Sequence, residues 1–189
     1  MANHVTTNIE FTGLTPETIC RLKNRFDGIE MGTSVGAFFP DVEYTMEFFS
    51  ENVGSKWCNL DDFSEYEDTV NITVVSAWSY PEPLVVKLNE FVLESQEEFK
   101  CFTSYDDEMP NFAGCEVYID GEYEDGRQDE WEEMIELMEE TEPRFVELIR
   151  KEEEGELTDE EEEELNDIRW DCIWDHIGTF QREVHEAYR

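Results

Sequence analysis

The sequence predicts an α+β fold with a C-terminal helical appendage. Two observations predict it: strand-like and helix-like segments alternate over the first two thirds of the chain, and the composition changes after Gly126. From His4 to Phe11 the residues Val5, Thr7, Ile9 and Phe11 recur with period two, the pattern of a half-buried strand. Thr15 followed by Pro16 marks a helix start, and Ile19, Leu22 and Phe26 recur at helical spacing up to Gly28. Gly32 to Pro40 reads as a glycine-rich loop, and Tyr44, Phe48 and Phe49 before Gly54 as a short helix.

The β-branched run Val70, Ile72, Val74 is a second strand, ended by the turn Tyr80-Pro81-Glu82-Pro83, after which Leu84, Leu88 and Phe91 or Val92 mark a helix. Phe99 to Phe102 and Cys115 to Ile119 read as two further short strands, with Asp120-Gly121 as a hairpin signal. With one more strand concealed in the middle segment, this order suits a ferredoxin-like split βαβ sandwich over residues 1–125.

Beyond Gly126, glycine and β-branched residues thin out and Glu, Leu, Met, Ile and Trp take over, so residues 126–189 are expected to form an acidic helical region. Trp131, Met134 or Ile135, and Met138 form one apolar stripe, and Phe145, Leu148 and Ile149 form another after Pro143. Thr158 with Glu161 is a capping box, followed by Leu165, Ile168, Cys172, Ile177, Phe180 and Val184 on the longest helix. Trp170, Ile173 and Trp174 make that helix apolar on more than one face, which fits either burial between helices or self-association as a homodimer.

Charge restricts function more than any motif does. Fifty acidic against thirteen basic residues give a formal net charge of -37, yet 39% of residues are apolar, enough for a core. Nucleic acid and anionic membrane surfaces would be repelled and basic surfaces attracted. The excess is spread along the chain: residues 1–120 hold 23 acidic and 6 basic residues, residues 121–189 hold 27 and 7. Five cysteines without framework spacing and no signal-like segment point to reduced thiols in a cytoplasm. No apolar run approaches the roughly 20 residues needed to span a bilayer.

No pattern for catalysis emerges, and neither an enzyme nor a cofactor is expected. His4, His176 and His185 are the histidines; Cys172 and His176 are four apart but lack a CxxC or HExxH partner, so structural use is the simpler reading. The acidic loop from Asp120 fails as a calcium hand, having Asp125 where the sixth position needs Gly and Trp131 where the twelfth needs Glu.

Four segments of the first 125 residues carry a resemblance. Met1-Ala2-Asn3 entering a strand, Glu51-Asn52-Val53-Gly54-Ser55-Lys56-Trp57, Ala77-Trp78-Ser79-Tyr80-Pro81, and Asn111-Phe112-Ala113-Gly114 resemble phage and plasmid proteins with a YubB-like ferredoxin-like domain. The resemblance implies a mobile-element protein acting inside a bacterial cell and transfers no catalytic residues. The chain beyond Gly126 departs from that pattern.

Six successive carboxylates, Asp159, Glu160, Glu161, Glu162, Glu163 and Glu164, place about one charge per 1.5 Å of helix axis, close to the one per 1.7 Å of duplex DNA. With Glu130, Glu132, Glu133, Glu136, Glu139 and Glu140 they are the candidate partner-binding residues. One reading is a phosphate-mimicking surface of an anti-CRISPR or anti-restriction inhibitor that occupies a basic nucleic-acid-binding surface of a host defence complex. The alternatives are a solvated helix start favoured by the macrodipole, and an interaction module that binds through an apolar helical surface and uses acidity only for solubility.

Overall fold

A computed structural model describes the whole chain apart from Met1, Ala2, Met31, Pro40, Asp41, Val42 and Pro110, and apart from the side chains of Ala37 and Thr141. The first two residues of the Met1-Ala2-Asn3 segment and the last of the Gly32 to Pro40 loop therefore lie outside the described residues.

The fold is α+β. Strand β1 (His4–Thr12) leads through α1 (Pro16–Phe26), a 3₁₀ turn (Val35–Phe38) and α2 (Met46–Asn52) to the hairpin of β2 (Cys58–Tyr66) and β3 (Thr69–Ala77). Helix α3 (Glu82–Leu93) then returns the chain to β4 (Lys100–Asp107). Two more strands follow, β5 (Phe112–Ile119) and β6 (Glu122–Glu130), and then α4 (Trp131–Thr141), α5 (Pro143–Glu154) and α6 (Asp159–Tyr188). All neighbouring strands are antiparallel, in the order β2-β3-β1-β4-β5-β6. The first four form the ferredoxin-like sandwich, widened at the β4 edge by the β5–β6 hairpin, and the three last helices are the appendage.

Local chemistry explains the element ends. Thr15 Oγ1 accepts the Thr18 N–H of α1, with Pro16 at the first helical position where its missing N–H costs nothing. Thr45 does the same for α2 through the Phe48 N–H. The concealed strand is β2. Its sequence CNLDDFSEY buries only Cys58 and Leu60, and a register shift between Leu60 and Asp62 interrupts its pairing with β3. An acidic, irregular edge strand resists edge-to-edge association but shows little apolar alternation.

The expected boundary at residues 125 and 126 falls inside β6, so strand continues past Gly126 and the helices begin at Trp131. EYEDGRQDE has no apolar alternation because β6 is also an edge strand, with Asp129 its one buried residue.

The sheet carries a core on each face. On one, Leu22, Phe26, Leu84, Leu88 and Val92 of α1 and α3 pack over Ile9, Phe11, Ile72, Val74 and Cys101. On the other, Ile173, Ile177 and Phe180 of α6, with Met134, Met138, Phe145 and Leu148 of α4 and α5, pack over Ala113 and Cys115 of β5. This helical core uses the apolar stripes the sequence predicts. Helix α6 is 30 residues long, with Trp170 half-buried near Trp131 and Trp174 39% exposed.

Gly114 is fixed by a close approach, since a Cβ there would lie 2.4 Å from the Tyr105 ring. That ring cannot withdraw easily, because it stacks on Tyr80 at 3.9 Å between centroids and its hydroxyl donates to Gln128. Tyr80 in turn donates to the Glu116 carboxylate, as does Tyr118. Gly114→Ala is therefore expected to destabilise the fold by about 1–3 kcal/mol, the usual range for overpacking a filled site, measured by chemical denaturation. A loss below about 0.5 kcal/mol would show that the tyrosine stack yields.

Candidate functional site

The thirteen basic side chains are largely committed within the molecule. Arg21, Lys23, Lys87, Arg127, Arg144, Arg150, Lys151 and Arg169 each have an acidic partner within ion-pair distance. Lys100 donates to the Tyr188 carbonyl, and Arg25 lies over the rings of Phe38 and Phe91. What remains on the surface is a large excess of carboxylates.

The structure divides the run Asp159–Glu164 in two. Glu161 and Glu164, three apart, face α5. Glu161 takes the Lys151 ammonium and the Thr158 N–H, which hold its carboxyl below the ordinary range. Glu164 takes the Arg144 guanidinium through two hydrogen bonds of 3.0 and 2.6 Å, with the same effect. These two carboxylates clamp α5 to the start of α6. Asp159, Glu160, Glu162 and Glu163 are exposed and enter no ion pair among the described residues; the first three lie in the first turn, where they meet the positive end of the helix dipole.

The other predicted group is brought together on one helix. Glu130 is the N-cap residue of α4, and its N–H is accepted by Glu133 Oε2 at 2.9 Å in a capping box. Glu132, Glu133, Glu136, Glu139 and Glu140 are exposed on the side of α4 opposite buried Met134 and Met138. Between Arg127 and Arg144 the sequence holds eight acidic residues and no Lys or Arg. Unlike the α6 run, this face lacks an ion-paired cation of its own among the described residues.

Behind α4 lies a cleft of about 300 Å³ lined by Arg127, Asp129, Glu133, Glu136, Glu140 and His176, among others. Burial opposes charge on Asp129, but hydrogen bonds from Arg127 at 2.8 and 2.6 Å and contact with His176 Nε2 at 2.7 Å outweigh it and hold the carboxyl low. His176 thus pairs with Asp129 of β6, not with Cys172, whose thiol is pushed up by burial. Among the described residues no group of three or more His, Cys, Asp or Glu side chains is arranged to hold a metal ion.

A second feature occupies the end of the sheet where β1 begins and β3 and β4 end. Asn3, Gly54, Ser55, Trp78, Ser79 and Asn111, distant in sequence, meet here. Ser55 Oγ accepts the Ala77 N–H, Ser79 Oγ donates to the Gly54 carbonyl, and the Trp78 N–H donates to the Asn3 carbonyl. These bonds fix Trp78 at φ 72, a left-handed conformation that costs a bulky residue on the order of 1–3 kcal/mol. The indole is 64% exposed and makes no ring contact among the described residues.

Beside it, Asn3, Trp78, Asp107, Asn111 and Phe112 line a cleft of about 320 Å³. The Asp107 carboxylate is only 2% exposed and accepts from Asn111 Nδ2 at 2.5 Å, Asn3 Nδ2 at 3.3 Å and the Met109 N–H at 3.3 Å. The Asn111 carbonyl accepts the Trp131 N–H, joining this cleft to the first turn of α4. Neither Trp78 nor Asp107 stands out in the sequence as a binding residue. A positive φ and a tertiary cleft leave no local pattern, although the short Trp-Ser-Tyr-Pro turn is a signal of constraint.

No known family model matches this chain, and no curated protein does. Among solved structures, protein api92 from Yersinia pseudotuberculosis, of family DUF1281, is similar at 15% identity and a TM-score of 0.36, over 49% of this chain and 33% of its own. This chain thus spans about a third of that protein's length.

Asp106, the neighbour of Asp107 on β4, has a measurable property. Burial, reinforced by repulsion from Asp107, pushes its carboxyl up from 3.8 to about 6. The unfolded chain ionises first, so the native state binds the extra proton and this residue's contribution to stability falls as pH rises from about 4 to 6. Asp106→Asn should remove that penalty, stabilising the protein by about 1–2 kcal/mol at pH 7, after discounting for partial exposure, and by little at pH 4. Denaturation curves of parent and variant at both pH values check it; an equal difference at the two would contradict it.

Proposed function

We propose that this chain is a non-enzymatic acidic inhibitor that occupies a basic nucleic-acid-binding surface of a partner protein, its carboxylates standing where phosphates would. The observation that carries the reading is the α4 face: Glu130, Glu132, Glu133, Glu136, Glu139 and Glu140 are exposed and enter no ion pair among the described residues, in a molecule whose cations are mostly tied up internally. From Glu132 to Glu140 five carboxylates cover about 12 Å of helix axis, about one per 3 Å, against one phosphate per 3.4 Å along a single DNA strand. Asp159, Glu160, Glu162 and Glu163 extend the same chemistry. Inhibition then needs only occupancy: steric exclusion of nucleic acid, with electrostatic steering to accelerate association.

The resemblance supplies a setting, a phage or plasmid protein inside a bacterial cell, and in that setting the mimicry reading points to a host defence complex of the CRISPR or restriction kind as the target. Glu161 and Glu164 have a second role as clamps, so a test of mimicry must leave them in place.

The test exchanges Glu132, Glu133, Glu136, Glu139 and Glu140 for Gln, which keeps length and helix propensity. Captured from bacterial lysate at low salt, the parent's partner should be a nucleic-acid-binding protein that duplex DNA or RNA displaces. The Gln variant should bind that partner at least about tenfold more weakly, associating more slowly and with a flatter dependence on salt. Unchanged affinity and salt slope in the Gln variant, with loss of binding in Trp174→Ala, would replace this reading with docking through an apolar helical surface.

A further inference from the structure

The hydrogen bonding of the cleft at the end of the sheet defines what it can accept. Asn3 and Asn111 both turn their Nδ2 groups to Asp107, because a carboxylate offers only acceptors. Their Oδ1 atoms are left as acceptors, and neither accepts a hydrogen bond from a described residue. Asp107 uses three of its roughly four lone-pair sites on Asn3, Asn111 and Met109. The rest of the lining includes the rings of Trp78 and Phe112, whose faces are negative. A cleft with acceptors and π faces suits a ligand that is all donor and cationic.

Arginine meets that description better than lysine, since its planar guanidinium carries five donors and stacks on indole. The chain uses the same pairing internally, with Arg21 at 4.7 Å over Phe91 and Arg127 at 4.8 Å over Phe180. Trp78 is held ready for it: three loop hydrogen bonds maintain a left-handed backbone whose result is an indole presented to solvent. The cleft also adjoins the acidic face, through the bond from the Trp131 N–H to the Asn111 carbonyl and the pairing of Phe112 with Glu130.

We propose that this cleft is a socket for one arginine side chain of the basic partner, stacked on Trp78 and bonded to the acceptors of Asn3, Asp107 and Asn111. The proposal deepens the reading of the α4 face as the surface for a basic protein, and rests on it for the partner's identity. The socket adds geometry to what is otherwise a diffuse field: it selects a partner with an arginine at one place beside its nucleic-acid surface.

The test uses blocked single amino acids as probes and the indole and side-chain amide signals of the ¹⁵N-labelled protein as readout. N-acetyl-arginine amide should shift the Trp78 indole signal and the Asn3 and Asn111 side-chain amides saturably, with a Kd on the order of 1–10 mM. The Trp78 signal is identified by its loss in Trp78→Gly, a variant that suits the left-handed backbone and should melt at or above the parent's temperature. The neutral isostere N-acetyl-citrulline amide should give no saturable shift, N-acetyl-lysine amide at least fivefold weaker binding, and Asp107→Asn at least tenfold weaker arginine binding. No saturable shift at these three groups, equal binding of citrulline or lysine, or arginine binding undiminished in Trp78→Gly would overturn the socket.

The α4 Gln variant separates the two ideas. If it loses the partner while the arginine probe fails to bind the parent, the socket falls and the acidic face stands. If the probe binds as described and the Gln variant captures the partner as the parent does, the acidic face falls and the socket stands.

Discussion

The contact on which the rest of the structure depends is the strip of Ile173, Ile177 and Phe180 on α6 against Ala113 and Cys115 of β5. Small side chains on the strand let the helix approach, and burying each large one contributes roughly 1.5–3 kcal/mol. Without this strip the helical layer, which carries much of the -37 charge, would be pushed from an equally acidic sheet domain. Because it holds, α4 and α5 have a surface to pack on, and Met134, Met138, Phe145 and Leu148 complete the core between them.

Charge then determines how the few cations are used. Arg144, Lys151 and Arg169 join α5 to α6, Arg127 fixes Asp129 beneath α4, and Arg21 and Lys23 tie α1 to its neighbours. Exposed pairs of this kind contribute little individually, but they decide which carboxylates are neutralised. The α6 run is partly quenched by its own clamps, and the α4 face is not. The sheet end with Trp78 and Asp107 is joined to the first turn of α4 by the Trp131 N–H bond to the Asn111 carbonyl and by the pairing of Phe112 with Glu130.

Much of this was legible in the sequence where burial alternates with the period of the element. Val5, Thr7, Ile9 and Phe11 marked β1, Thr15-Pro16 marked the start of α1, and the apolar stripes of α4, α5 and α6 became the second core. The edge strands were harder, because CNLDDFSEY and EYEDGRQDE expose most of their side chains and owe their conformation to pairing. For that reason the boundary placed near Gly126 fell within β6. The site was legible only as composition. Sequence showed where acids cluster, but not that Glu161 and Glu164 are spent on Lys151 and Arg144, nor that Asn3, Trp78, Asp107 and Asn111 meet.

Amide hydrogen exchange of the protein free and bound to its basic partner shows which surface the partner covers. Binding is expected to slow exchange in Trp131–Thr141 and in the backbone around Trp78 and Asn111, with α1 and α3 unchanged. Protection confined to Pro16–Phe26 and Glu82–Leu93, with α4 exchanging as in the free protein, would contradict it.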